Sequence, residues 1–242
     1  MNRILFLVLL CLFFITNQTI TQPKLTLHIS GGYSPPLPDL KGNLPLNTGE
    51  NDYGMSSGFN LGADGVYTFD KKGYIGALGT FSYNMFSNTG DYPLLSTTQT
   101  VKINILTLGL GMQFNLPKIK KFRPFVSGEF TTNFFSGKTL IEAVDTLPTT
   151  ENPQKSETRF GLQFGAGTEI MVDPEFGFVL GIKYHLANLI GKDSASVSEI
   201  EYALDDSQHL YNGMVIPAKK IQYLQVYAGV SIYLLQPRVK RK

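Results

Sequence analysis

From residue 24 onward, apolar and polar side chains take turns in eight separate stretches of the chain. A period of two places the two sets on opposite faces of a β-strand. The last stretch, 219–235, reads KKIQYLQVYAGVSIYLL. Leu224, Val226, Ala228, Val230, Ile232 and Leu234 share one face, and Tyr223, Gln225, Tyr227, Gly229, Ser231 and Tyr233 share the other. No charge falls between Lys220 and Arg238. At about 3.3 Å per residue this stretch can cross a bilayer as a tilted strand, which takes roughly 9–11 residues. The other seven stretches are 24–34, 54–69, 73–87, 100–116, 121–137, 157–172 and 175–189. In 54–69, Phe59, Leu61, Ala63, Tyr67 and Phe69 oppose Asn60, Gly62, Asp64 and Thr68. The stretch 121–137 is less tidy, with Phe122, Val126, Phe130 and Phe134 against Arg123, Ser127, Glu129, Thr131 and Asn133.

The connections alternate as well. Tight turns with Asp, Pro or Gly fall at 70–73, 117–120 and 173–174. Long connections fall at 35–53, 88–99, 138–156 and 190–218. An up-and-down barrel with both termini in the periplasm requires short turns on that side and long loops outside. The fold class expected is therefore all-β, an eight-stranded antiparallel up-and-down transmembrane β-barrel with its apolar face toward lipid. The turns and the tail (Arg238, Lys240, Arg241, Lys242) are mainly basic. The long connections carry Asp39, Glu50, Asp52, Asp91, Glu142, Asp145, Glu151, Asp193, Glu199, Glu201, Asp205 and Asp206. Connections of this composition are expected to be solvated and mobile.

Eight strands leave an interior barely wide enough for side chains. Ten glycines, among them Gly62, Gly109, Gly165, Gly177 and Gly181, fall on the polar face and would make room there for larger polar groups. The ionisable residues of that face are Asp64, Arg123, Glu129, Arg159, Glu169, Lys183 and His185, with His28. A lone charge in a narrow lumen costs several kcal/mol unless paired. Ion pairs are expected, for instance Glu129 or Glu169 with Arg159 or Lys183. They would form a polar plug or, on a sharper reading, a proton-transfer or ligand site.

Composition agrees with an all-β chain: 24 glycines in 242 residues, 12% aromatic residues without a Trp, and only 17% charged. A formal charge of +2 gives no reason to expect nucleic acid. The start has one cation, Arg3, an apolar run from Ile4 to Ile15 and a polar, small-residue end. This is the layout of a secretory signal peptide, assigned to 1–21, with the barrel over 22–242. The single cysteine, Cys11, lies within that run rather than after it, which disfavours a lipoprotein, and the mature chain would hold no disulfide. No later segment reaches 18 consecutive apolar residues, so a helical span is excluded and a membrane form must be a barrel.

Tyr227, Gly229, Ile232 and Leu234 resemble the final-strand signal read by barrel-assembly machinery. The chain from residue 22 on resembles the small eight-stranded outer-membrane proteins of the OmpA transmembrane-domain, OmpX and OmpW type. Its glycine-aromatic strands, such as Phe160-Gly161-Leu162-Gln163-Phe164-Gly165, resemble porin-family barrels of Bacteroidota-like bacteria. The chain departs from the pattern by running on from Gln236 to Lys242 instead of ending on an aromatic residue. The resemblance implies Sec export, the outer membrane of a Gram-negative envelope, contact with outer-membrane lipid and lipopolysaccharide, and passage through periplasmic chaperones and the assembly machinery. A surface or envelope protein partner is also compatible with it. Function within such families is heterogeneous, and a fold does not choose among functions.

No Cys/His metal spacing, phosphate-cradling glycine loop or G-x-S-x-G elbow occurs in the sequence, so no metal or cofactor is expected. The leading reading is a non-enzymatic envelope barrel that acts through its surface loops, with a largely filled polar lumen. The alternatives are an OmpW-like conduit for small hydrophobic molecules, a lipid A-modifying enzyme and a secreted lipocalin-like barrel. The enzyme would use His185 with Ser194, Ser196 or Ser198, or His209 with Asp205, Asp206 and Ser207. The lipocalin-like form would have to pack its large aromatics inside a narrow interior.

Overall fold

The computed structural model describes residues 24–44, 52–70, 72–92, 97–142, 148–193, 204–211 and 214–234. The expected signal peptide, Cys11, Ser194, Ser196, Ser198, the acids Glu50, Asp145, Glu199 and Glu201, and the basic tail lie outside them. Eight long strands form the wall: β1 (Leu25–Tyr33), β2 (Ser57–Thr68), β3 (Ile75–Tyr92), β4 (Thr97–Asn115), β5 (Phe122–Ile141), β6 (Thr150–Met171), β7 (Phe176–Ile190) and β10 (Gln222–Leu234). Two short strands, β8 (His209–Tyr211) and β9 (Met214–Ile216), make a separate hairpin in the last long connection.

Each wall strand pairs antiparallel with its sequence neighbour, and β10 closes the ring onto β1 from Leu25↔Leu234 to Tyr33↔Val226. Closure leaves no free edge within the ring and satisfies the backbone internally, the condition for crossing a bilayer. The tight turns have the chemistry their residues predict. Asp70 accepts from the amides of Lys72 and Ile75, and Asp173 from those of Glu175 and Phe176. Gly73 takes the positive φ (74°) that its turn requires.

Around the middle of the ring the outward set is apolar. Leu110 and Phe130 are 75% and 76% exposed, whereas inward Thr107, Gln163 and Gln225 are buried. Outward aromatics gather toward both limits of this belt: Tyr67, Phe69, Phe114, Phe122 and Phe178 near the turns, and Tyr33, Phe59, Phe134 and Phe160 near the long connections. An apolar band with aromatic girdles is the outer face of a lipid-embedded barrel.

The long connections differ from expectation. Those at 88–99 and 138–156 are largely strand, because β3 and β4 run on to Tyr92 and from Thr97, and β5 and β6 to Ile141 and from Thr150. Of those at 35–53 and 190–218, the described segments around Leu40, Tyr53, Leu204 and Asp206 fold inward and are buried, so there the expectation of solvated loops fails, whereas Leu210 and Val215 of the β8–β9 hairpin are exposed. Along β3, β4 and β5 the facing rule inverts beyond the belt. Outward Met85 gives way to Ser87 and Thr89, and Leu106 to Asn104 and Lys102, while inward Phe86, Val101, Ile103, Ile105 and Phe135 are buried. Outside the lipid, water wets the outer face and the inner face needs an apolar cover, so the same strand reverses its preference.

Candidate functional site

The lumen is built in storeys. Nearest the turns, Glu169 on β6 receives Arg123 from its neighbour β5 and lies 3.4 Å from His28 Nε2 on β1. The Arg123 guanidinium also stands 5.7 Å from the centre of the Tyr233 ring. One storey on, Lys183 Nζ donates to Asp64 Oδ1 at 2.8 Å across the lumen, and Thr80 Oγ1 donates to the same oxygen at 2.8 Å. The Lys183 amine lies 5.6 Å from the Tyr227 ring centre. Glu129 accepts from Gln163 Nε2 at 2.6 Å. The rings of Tyr227 and Tyr233 find room against glycines of β7: a methyl on Gly177 would stand 2.5 Å from Tyr233 Oη, and one on Gly181 would collide with Tyr227.

The third storey holds no ion pair among the described residues. His185 stacks on Tyr223 at 4.2 Å between ring centres and makes a 3.0 Å hydrogen bond with Gln225 Oε1. Gln225 donates to Asn60, Asn60 to Ser34, Ser34 to Asn84, and Asn84 to the Tyr223 hydroxyl, in steps of 2.8–3.3 Å. This chain ties β10, β2, the start of the first long connection and β3 across the lumen. Buried polar groups that satisfy each other in this way fix one arrangement of the core.

Above it the lumen turns apolar, and here the expectation of a polar lumen fails. Phe86, Val101, Ile103, Ile105 and Phe135 from β3–β5 enclose Leu40, Tyr53 and Met55 of the first long connection and Leu204 of the last. Arg159 lies at this end too. Asp206 accepts from Arg159 Nε and Nη2 at 3.0–3.2 Å, from Asn188 Nδ2 at 2.9 Å and from the Asp193 amide at 3.1 Å. Arg159 Nη1 also donates to Glu157 at 3.1 Å. The Tyr53 hydroxyl donates to the Leu204 carbonyl at 2.8 Å, and Lys219 Nζ stands 4.8 Å above the Tyr53 ring. Burial first, then the charge of Asp206, holds the Tyr53 hydroxyl protonated far above its ordinary range, whereas burial lowers the Lys192 amine below its own.

The seven ionisable residues singled out from the sequence all lie buried in the lumen, in partnerships that differ from the examples offered. Glu169 holds Arg123, Lys183 holds Asp64, Glu129 has an amide partner, and Arg159 reaches a loop acid. Asp206 was missed as a lumen residue because nothing in a polar connection marks one aspartate among many as buried, and Asn188 because its even position shares the outward parity of β7 until the register shifts beyond Leu186. Of the enzyme candidates, His185 has Gln225 and Tyr223 as neighbours, and His209 Nδ1 lies 3.3 Å from Asp205 and 3.2 Å from the Ser207 carbonyl. Among the described residues no cluster of acids, histidines or cysteines forms a metal site.

A closed ring of eight strands, greasy and aromatic outside and polar within, defines a transmembrane β-barrel. Residues 6–215 match the model of the family described as "Outer membrane protein beta-barrel domain", and the chain belongs to that family. The family places it in the bacterial outer membrane. Similar solved structures include neisserial surface protein A, at 12% identity over 87% of this chain and 97% of that one, with a TM-score of 0.46. Another is Ail, the attachment invasion locus protein of Yersinia pestis, in complex with the heparin analogue sucrose octasulfate (18% identity, 86% and 99% covered, TM-score 0.40). A third is OprG from Pseudomonas aeruginosa (13% identity, 86% and 97% covered, TM-score 0.45). Among curated proteins no significant match is found.

Proposed function

We propose that this chain is a non-enzymatic outer-membrane barrel whose lumen is closed and which acts through the end that carries its long connections. Export by the Sec route, periplasmic termini and an outward-facing loop end belong to the same reading. So do contacts with outer-membrane lipid and lipopolysaccharide, transit through periplasmic chaperones and the assembly machinery, and a final-strand signal at Tyr227, Gly229, Ile232 and Leu234. The observation that carries the closed lumen is the succession of storeys. Two charge-paired layers, an amide and hydroxyl chain and an apolar collar follow one another, each with buried side chains from facing strands. A wet channel would leave such groups solvated. Planar-bilayer recording of the folded protein should give no unitary conductance, and a stable ohmic pore would overturn the reading.

One observation favours a second reading, a narrow conduit for small hydrophobic molecules: the apolar collar at the loop end. Saturable uptake of an alkane-like probe into vesicles that hold the protein, with none into empty vesicles, would decide for it.

A further inference from the structure

We propose that the segment Leu204–Asp206 is a releasable stopper seated in the loop end of the lumen, and that Arg159 is its catch. Asp206 is fully buried, a state a carboxylate reaches only when compensated, and the bidentate Arg159 supplies the compensation. Two positions earlier, Leu204 is buried in the collar beside Ile103, Ile105 and Phe135. An ion pair at Asp206 and apolar burial at Leu204 thus hold one short segment at its two ends.

Three features make this contact releasable, unlike the pairs deeper in the lumen. Both partners of Lys183–Asp64 sit on wall strands, so parting them means deforming the sheet. Asp206 lies between strands, and among the described residues the main chain of 204–207 is tied to more distant residues by three hydrogen bonds outside any sheet: the Tyr53 hydroxyl to the Leu204 carbonyl, the Lys219 amide to the Asp206 carbonyl at 3.1 Å and the Ser207 amide to the Asp193 carbonyl at 3.4 Å. Arg159 keeps a second carboxylate, Glu157, when Asp206 leaves, so release strands no cation in the lumen. Asp206 itself would move into water. Asp205 completes the set: its φ of 44° puts a side-chain-bearing residue in the left-handed region, a strain that leaving the seat relieves. Withdrawal would vacate the place of Leu204 in the apolar collar it shares with Phe86, Ile103, Ile105 and Phe135, where Leu40, Tyr53 and Met55 remain.

The inference rests on the closed lumen, and single-cysteine labelling separates the two. In a Cys11→Ser background, Ile105→Cys reports on the collar and Val179→Cys, fully buried near the turns, on the lower lumen. A maleimide should react slowly at both sites in the otherwise unaltered chain, and fast labelling at position 179 would sink the closed lumen itself. Asp206→Asn should speed labelling at 105 by about a hundredfold, the scale of removing one partner of a buried pair, and leave 179 unchanged. Arg159→Gln should act likewise. Glu157→Gln should slow labelling at 105, because it removes the alternative partner and tightens the catch. A merely structural network would loosen in all three variants, so acceleration by Glu157→Gln, or no response to Asp206→Asn, overturns the stopper. Heat-dependent migration on gels verifies each barrel. Should a variant not assemble, amide exchange in the unaltered protein decides. Residues 204–207 should open more readily than β4 and β5, and protection equal to theirs refutes the proposal.

Discussion

The ring has a tall half and a short half. Strands β3, β4, β5 and β6 run to 18, 19, 20 and 22 residues and stand side by side. Strands β7, β10, β1 and β2, with 15, 13, 9 and 12 residues, complete the circle. The two halves spend their extra chain differently. On the tall side the connecting residues extend the sheet beyond the lipid belt. On the short side the strands stop early, and the freed residues fold inward to supply Leu40, Tyr53, Met55 and Leu204. The apolar inner face of the tall wall is what those residues cover. An exposed hydrophobic wall and a set of unpartnered apolar loop residues would each be unfavourable in water, and together they make one core.

Substitutions can break or sharpen this contrast. Phe135→Ala, on the inner face of the tall wall, should cost about 3–5 kcal/mol of loop-end packing. It would be read as faster amide exchange at 52–55 and 204–207 with β1 protected as before, and a loss spread evenly round the ring would deny the loop end a core of its own. Within the belt the halves should behave alike. Leu110→Arg on the tall side and Val230→Arg on the short side should each lower unfolding stability in vesicles by about 2–4 kcal/mol. If either folds with unchanged stability, its outward assignment is wrong. Ile103→Val should cost about 0.5–1.5 kcal/mol, measured by urea titration. The outward neighbour Lys102→Gln should stay within about 0.5 kcal/mol. A Lys102 effect as large as that of Ile103 would mean that the inversion of faces along β4 is misplaced.

Much of this wall is legible in the sequence, because within the belt one rule governs every strand: lipid on one side and a crowded lumen on the other. The alternation of Leu224 through Leu234 with Tyr223 through Tyr233 needs no tertiary knowledge to read. The rule loses force where the solvent changes. Val101, Ile103 and Ile105 share a face with Thr107, so a reading that assigns that face to polar groups has no place for them. The connections were harder still. Asp206 and Asp205 are neighbours of the same type, yet one is fully buried and the other partly exposed. The difference lies in Arg159, 47 residues away. Ion pairing in the lumen followed from electrostatics, but the partners needed the closed ring: Arg123 and Glu169 face each other on neighbouring β5 and β6, whereas Lys183 of β7 reaches Asp64 of β2 across the lumen.

A rim that is high on one side and low on the other gives the molecule a compass bearing. Seen along the membrane normal, an evenly trimmed cylinder offers every newcomer the same view. This one presents a parapet over four adjacent strands and shorter strands over the other four. Anything that settles on it meets the parapet from one side only, so both its orientation about the normal and its height above the bilayer are set together.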